Sequence, residues 1–378
     1  MGSTCCAASE SWPAWLRRSS RDGRADRFSG PSRWLSSSSR GPGSSKVRHW
    51  VRSSRPWAPR KTEPPSKSCS VTFGRSIFLA AARSQRLNDF ALHSAFVKRA
   101  TRKFMPGEHA EDALEAGAAI AATGRGLLFT QLGEAIMGID AAIAVRDHYL
   151  WFFDQIRARN LPAQVSVKPT QLGLDLSFAE CERHLQALAA KAEETRSALW
   201  LDMEDSSYVD RTLDLYVTLK RNHASTGVAL QAYLHRTPSD IARLMALKPV
   251  IRLVKGAYDE PKTVAFEKKS DTDRAYFELA SQLLRGARTD ACTPIFGTHD
   301  LTLIARIGEQ AKSSGVGKDK YQIHMLYGIR DSAQRRLVGE GHIVKTLVSY
   351  GAAWYRWYMR RLAERPANVL FVVKSLFG

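Results

Sequence analysis

An α/β fold, built as a (β/α)8 TIM-like barrel over residues 125–378, is what this 378-residue sequence predicts. Three observations carry the expectation. Eight short apolar, β-branched runs recur after residue 125, amphipathic helical stretches or polar connections separate them, and no glycine-rich phosphate loop follows the first. Strand alternating with helix implies a parallel sheet, and eight such units without that loop favour a closed barrel over a doubly wound sheet. A barrel of this kind takes about 250 residues, so the chain has room for an extension.

The apolar runs occupy residues 126–129, 164–167, 198–201, 228–231, 250–254, 294–296, 322–325 and 343–347. Ahead of them, residues 71–124 read as a small helical cap. Leu87, Phe90, Ala91, Phe96 and Val97 fall near i, i+3, i+4 spacing, and residues 113–122 are rich in alanine. Residues 1–70 hold 18 serines and 14 Lys or Arg against 4 acids, with no helical or strand period. Such a segment buries too little surface to offset its ordering entropy, so a disordered basic extension is expected. Its Arg- and Ser-rich, acid-poor makeup is also that of an organellar transit peptide, although no amphipathic period accompanies it. Five of the nine tryptophans lie there (Trp12, Trp15, Trp34, Trp50, Trp57), a placement packing does not explain, which favours a true start near Val71.

Charge and cysteine usage exclude several classes. The formal net charge is +19, of which the first 70 residues carry +10, so the globular part is only moderately basic. Nucleic-acid binding through the extension would be salt-sensitive and non-specific, and no nucleic-acid partner is expected. Cys5, Cys6, Cys69, Cys181 and Cys292 form no C-x-x-C pair and no zinc or disulfide spacing. No apolar run approaches the roughly 20 residues that span a bilayer.

Active sites in parallel barrels lie at the carboxyl ends of the strands, so the polar residues that follow each run are the candidates. They are Glu134, Lys168, Asp202 with Glu204 and Asp205, Gln231 with Tyr233 and His235, Arg252 with Lys255 and Tyr258, Thr298-His299-Asp300, and His324 with Tyr327. Charges within strands are rare unless paired or used, which marks Lys168, Asp202 and Arg252; Glu204 and Asp205 read equally as a structural ion-pair layer. A final helix, 354–364, places Trp357, Arg360, Arg361 and Glu364 on one face. Two guanidiniums beside an acid that orients one of them form a clamp for a carboxylate. Two other barrel chemistries compete. A Schiff-base lyase of the aldolase type would use Lys255 or Lys168, and a metal hydrolase would use His299, Asp300 and His324, although the first two strands supply no ligands for it.

Six motifs extend the reading. Ser-Val-Lys-Pro-Thr-Gln-Leu-Gly (166–173), Leu-Asp-Met-Glu-Asp (201–205), Leu-Gln-Ala-Tyr-Leu (230–234), Arg-Leu-Val-Lys-Gly-Ala-Tyr (252–258), Thr-His-Asp (298–300) and Tyr-Met-Arg-Arg-Leu-Ala-Glu-Arg-Pro-Ala-Asn (358–368) resemble the monofunctional bacterial proline dehydrogenases, in the family's order. The resemblance covers about residues 73–378. It implies oxidation of L-proline to Δ1-pyrroline-5-carboxylate by hydride transfer to FAD, with electrons passed to a membrane quinone. Met203, Gln231, Val254, Lys255, Gly256, Ala257, Thr298, His299 and Glu364 would bind FAD, with Arg252 near flavin N5. Lys168, Arg360 and Arg361 would hold the proline carboxylate, Tyr258 would close one side, and Asp202 would position Lys168 and the flavin edge. Glu134 would pair with Arg360 as a gate. No metal is implied. The implied location is cytoplasmic, with peripheral contact at the inner membrane, or the mitochondrial matrix if the extension is a transit peptide.

The sequence departs from the family pattern at Leu347 and Trp357, where tyrosines usually flank the substrate ring, and at His324 within the seventh run, where the family usually has glutamine. An alternative within the same family is therefore a preference for hydroxyproline. For the extension, deletion of residues 1–70 is expected to leave flavin content and thermal stability unchanged, because a segment that buries little contributes little. Loss of flavin on truncation would make the extension part of the fold.

Overall fold

A computed structural model describes residues 101–133, 136–355 and 358–359. The extension, the first part of the expected cap, and Glu134, Trp357, Arg360, Arg361 and Glu364 lie outside the described residues. Eight parallel strands close into a barrel in sequential order: β1 (Gly126–Gln131), β2 (Ala163–Val167), β3 (Leu199–Leu201), β4 (Thr226–Gln231), β5 (Val250–Val254), β6 (Thr293–Gly297), β7 (Gln322–Leu326) and β8 (Ile343–Tyr350). Closure is by β1 against β8, with Leu128 opposite Leu347. Each strand contains or overlaps one of the eight apolar runs.

The helices are α1 (Ala110–Ala121), α2 (Ile139–Ala158), α3 (Phe178–Glu194), α4 (Val209–Asn222), α5 (Thr237–Leu244), α6 (Lys269–Arg288), α7 (Leu301–Ser313) and α8 (Asp331–Gly339). Local chemistry sets their starts. Ser177 accepts the Glu180 amide at the head of α3 (3.3 Å), and Asp300 accepts the Leu303 amide at the head of α7 (3.2 Å). The alanine-rich stretch forms α1, which packs on β1 and β8; a Cβ at Gly117 would lie 2.5 Å from the Phe129 ring. The helix therefore needs glycine there to approach the barrel wall.

The strands sort their side chains by the period of two. Outward residues such as Leu127, Phe129, Val165, Leu199, Leu201 and Leu253 join the helices in the main core. Inward, Leu128, Trp200 and Ile295 form a separate apolar cluster, with Val250 and Leu347 packed against it. The barrel interior is thus filled; Ser166 and Arg252 stand toward the carboxyl ends of their strands, and Gln322 and Lys345 nearer the amino-terminal ends. Strand β8 runs three residues past the apolar run, because Ser349 and Tyr350 pair with β1 despite their polarity. Tyr350 is held there from outside, stacked on Phe152 and hydrogen-bonded to His148 (2.8 Å).

Candidate active site

Three inward side chains from β2, β5 and the end of β3 meet across the barrel. Arg252 forms an ion pair with Asp202, and the Ser166 hydroxyl donates to the same Asp202 oxygen at 2.8 Å. The Arg252 Nη2 also donates to Ser166 Oγ at 3.0 Å. The indole of Trp200 lies under the guanidinium, 4.9 Å from ring centroid to Cζ, and is itself anchored by donating to Gln164 Oε1 at 2.9 Å. Arg252 is only 6 % exposed. Burial pushes its pKa below the ordinary value and the Asp202 carboxylate opposes the push; a guanidinium keeps its proton throughout.

Around this triad stand the other strand-end residues. Lys168, just past β2, donates to the Gly133 carbonyl at 3.1 Å, tying β2 to the loop after β1. Met203 is buried directly beyond Asp202. Glu204 accepts both the amide (3.1 Å) and the hydroxyl (2.7 Å) of Thr170, and its buried carboxyl is raised above the usual range, with those bonds in opposition. Asp205 accepts the Ser207 amide. Both acids therefore have structural work in the loops. Gln231 donates to the Glu204 carbonyl at 3.2 Å, while its own buried Oε1 has no partner among the described residues.

Past β5 the chain turns at Gly256, whose φ is +112°, and a Cβ there would sit 2.2 Å from the Tyr233 ring. Glycine is required by the backbone and by Tyr233 together. Val254, Ala257 and Tyr258 are half-buried in this segment. Lys255 points to the helix side of the rim, where it pairs with Asp273 (2.5 Å) and Asp300 (3.1 Å). Thr298 accepts the Asp300 amide, and His299 accepts the Leu326 amide at 2.8 Å, so the β6 loop is stitched to β7.

These placements bear on the two competing chemistries. A Schiff-base lysine needs a desolvated or cation-crowded site, whereas Lys255 has two carboxylates. His299, Asp300 and His324 do not converge: the first binds backbone, the second caps α7, and the third lies inside the barrel near Trp200. His324 is 4 % exposed; its pKa is pushed well below the ordinary value by burial first, then by the charges of Arg252 and Lys345. Its Nε2 lies 3.3 Å from Gln322 Oε1, and its Nδ1 has no partner among the described residues.

Sequence reasoning passed over Ser166, Trp200 and Lys345. The first was legible as the inward residue two before Lys168, and the second as the inward residue two before Asp202. Lys345, on β8, lies beside Gly126 of β1 and His324 of β7, and burial lowers its pKa to about 7.

A closed parallel barrel with a braced, buried ion pair and a polar rim at the carboxyl ends of its strands defines a barrel enzyme with its chemistry at that mouth. The proline dehydrogenase family profile matches residues 113–374. The chain is 34 % identical over 304 residues to proline dehydrogenase 1 of Bacillus subtilis, covering 80 % of this chain and 98 % of that one. It is 35 % identical over 284 residues to the proline dehydrogenase of Deinococcus radiodurans, covering 72 % and 89 %. The chain belongs to the proline dehydrogenase family. Among solved structures, proline utilization A from Bdellovibrio bacteriovorus superposes with a TM-score of 0.67 at 20 % identity, over 76 % of this chain and 38 % of that longer one. At that identity the likeness speaks for the fold.

Proposed function

We propose that this proline dehydrogenase oxidises L-proline to Δ1-pyrroline-5-carboxylate on FAD held at the carboxyl mouth of the barrel, and passes the electrons to a membrane quinone. The observation that carries the reading is the Asp202–Arg252 pair, braced by Ser166 at the mouth of a barrel that belongs to this family. The residues fit a flavin. A fixed guanidinium, the Gln231 Oε1 that has no partner among the described residues, and the polar segment of Thr298 and His299 after β6 offer a donor and acceptor set suited to a polar ring edge and a phosphate-bearing tail.

FAD, when bound, would supply the acceptor for the hydride from proline C5. The chain's residues do the rest. Arg252 holds a permanent positive charge at the mouth, and Asp202 neutralises and orients it. Met203, Val254, Gly256 and Ala257 would line the flavin, Gln231, Thr298, His299 and Glu364 would bind its polar parts, and Tyr258 would close the proline side. Arg360, Arg361 and Lys168 would take the carboxylate, and Glu134 would close on Arg360. Loss of the hydride from C5 and of a proton from the ring nitrogen leaves the C=N bond of the product. Among the described residues no helix is long and apolar enough to cross a membrane.

The test is incubation of the purified protein with L-proline and a soluble quinone analogue. Quinone reduction that depends on proline, with Δ1-pyrroline-5-carboxylate as product, is expected. Flavin-loaded protein that makes no such product would remove the reading.

Leu347 sharpens the substrate choice. It is half-buried and packs with Leu128, Trp200 and Ile295, giving that wall an apolar surface where the resemblance expects a tyrosine. An apolar wall rejects an added hydroxyl by roughly a hundredfold at most. Proline is therefore expected to remain the better substrate over 4-hydroxyproline, by a margin that Leu347→Tyr changes. The measurement is kcat/KM for both substrates in both proteins. An unchanged ratio would place residue 347 out of contact with the substrate.

A further inference from the structure

We propose that Ser166 is a positioning residue for the reaction: its hydroxyl fixes the Arg252 guanidinium toward the flavin. The inference rests on the function proposed above. A guanidinium has donors and no acceptor, so the Ser166 proton must go to the Asp202 carboxylate, and the serine oxygen must receive the Arg252 Nη2–H. Both contacts are of ordinary length, 2.8 Å and 3.0 Å. The three groups thus close a ring in which no hydrogen has an alternative place to go.

Without the serine, Arg252 would be held by Asp202 at one point, through Nη2, and by the Trp200 face beneath. The Nη2–H to Oδ1 contact can act as a pivot, and a flat aromatic face restrains tilt but not rotation in its plane. The hydroxyl supplies the second point that stops that rotation. Ser166 is fully buried. It also shares the inward face of β2 with Gln164, which anchors the indole, and with Lys168, so one strand carries the support of the shelf, the brace and the rim lysine. No charge changes when the hydroxyl is removed, which separates this role from that of Asp202.

The experiment compares Ser166→Ala and Ser166→Cys with wild type, each loaded with FAD. Cysteine fills the space, but its S–H is a weak donor and its sulfur a weak acceptor. Both variants are expected to bind FAD, keep wild-type thermal stability within a few degrees, and change the proline KM by less than about threefold. Anaerobic reduction of the bound flavin by L-proline is expected to slow roughly tenfold or more in both. The flavin midpoint potential is expected to shift to more negative values in both, because the guanidinium no longer holds its place. Rates and potentials at wild-type values in both variants would overturn the assignment. So would recovery by cysteine of what alanine loses, which would make volume the cause, or loss of FAD and stability in both, which would make the role structural. If wild-type protein binds FAD and proline does not reduce it, the proposed function itself fails, a result distinct from any behaviour of the Ser166 variants.

Discussion

Asp202→Asn is expected to fold with its melting temperature lowered by about 10 °C and to reduce bound flavin with proline at least tenfold more slowly. The reason is the buried guanidinium it abandons. Arg252 cannot lose its proton, so removal of its counter-ion leaves an uncompensated charge inside the barrel, which costs about 3–5 kcal/mol. For a domain of this size each kcal/mol corresponds to about 2–4 °C. Asparagine keeps the shape and an oxygen that can accept from Ser166, so the loss is of charge more than of packing. A second substitution separates the two effects. Adding Arg252→Met to Asp202→Asn removes both charges and should recover much of the stability while leaving activity low, because no uncompensated charge then remains inside the barrel. Wild-type melting and kcat/KM in Asp202→Asn would show that the pair supports neither the fold nor the chemistry.

Arg361→Met is expected to keep FAD and to raise the proline KM by roughly 30- to 1000-fold, the effect of losing a charge-assisted bidentate contact worth about 2–4 kcal/mol. Arg360→Met should act similarly and also free the gate to Glu134. The sequence carries the expectation through the pair of adjacent guanidiniums in the helix predicted over 354–364, within the stretch matched by the family profile. A substrate without the carboxylate gives the internal control. Pyrrolidine should be handled equally by wild type and by Arg361→Met, since the contact removed is one it never makes. A variant with an unchanged KM for proline would end the clamp assignment.

The strands were legible because a barrel strand, covered by helices outside and filling inside, is apolar on both faces and reads as a short continuous run. Strand β8 was read short because Ser349 and Tyr350 break the run, and only the pairing with β1 and the stacking of Tyr350 on Phe152 keep them in the sheet. Lys168, Asp202 and Arg252 stood out because charge in a strand demands a reason. Their connections were hidden. Ser166 is an unremarked residue in a strand, and Trp200 reads as core until the closed barrel brings β5 across to both. Lys255 shows the converse, since its motif suggested a cofactor contact while its register, one residue past Val254, turns it toward Asp273 and Asp300 on the helix side.

The central claim, an FAD-dependent oxidation of L-proline at this barrel mouth, is tested most directly by adding L-proline to the purified protein under anaerobic conditions and following the visible flavin absorption. The account predicts a yellow protein whose absorption bleaches in proportion to added proline and returns when a quinone analogue is admitted. A protein that takes up no flavin, or one whose bound flavin stays oxidised in excess L-proline, would contradict it.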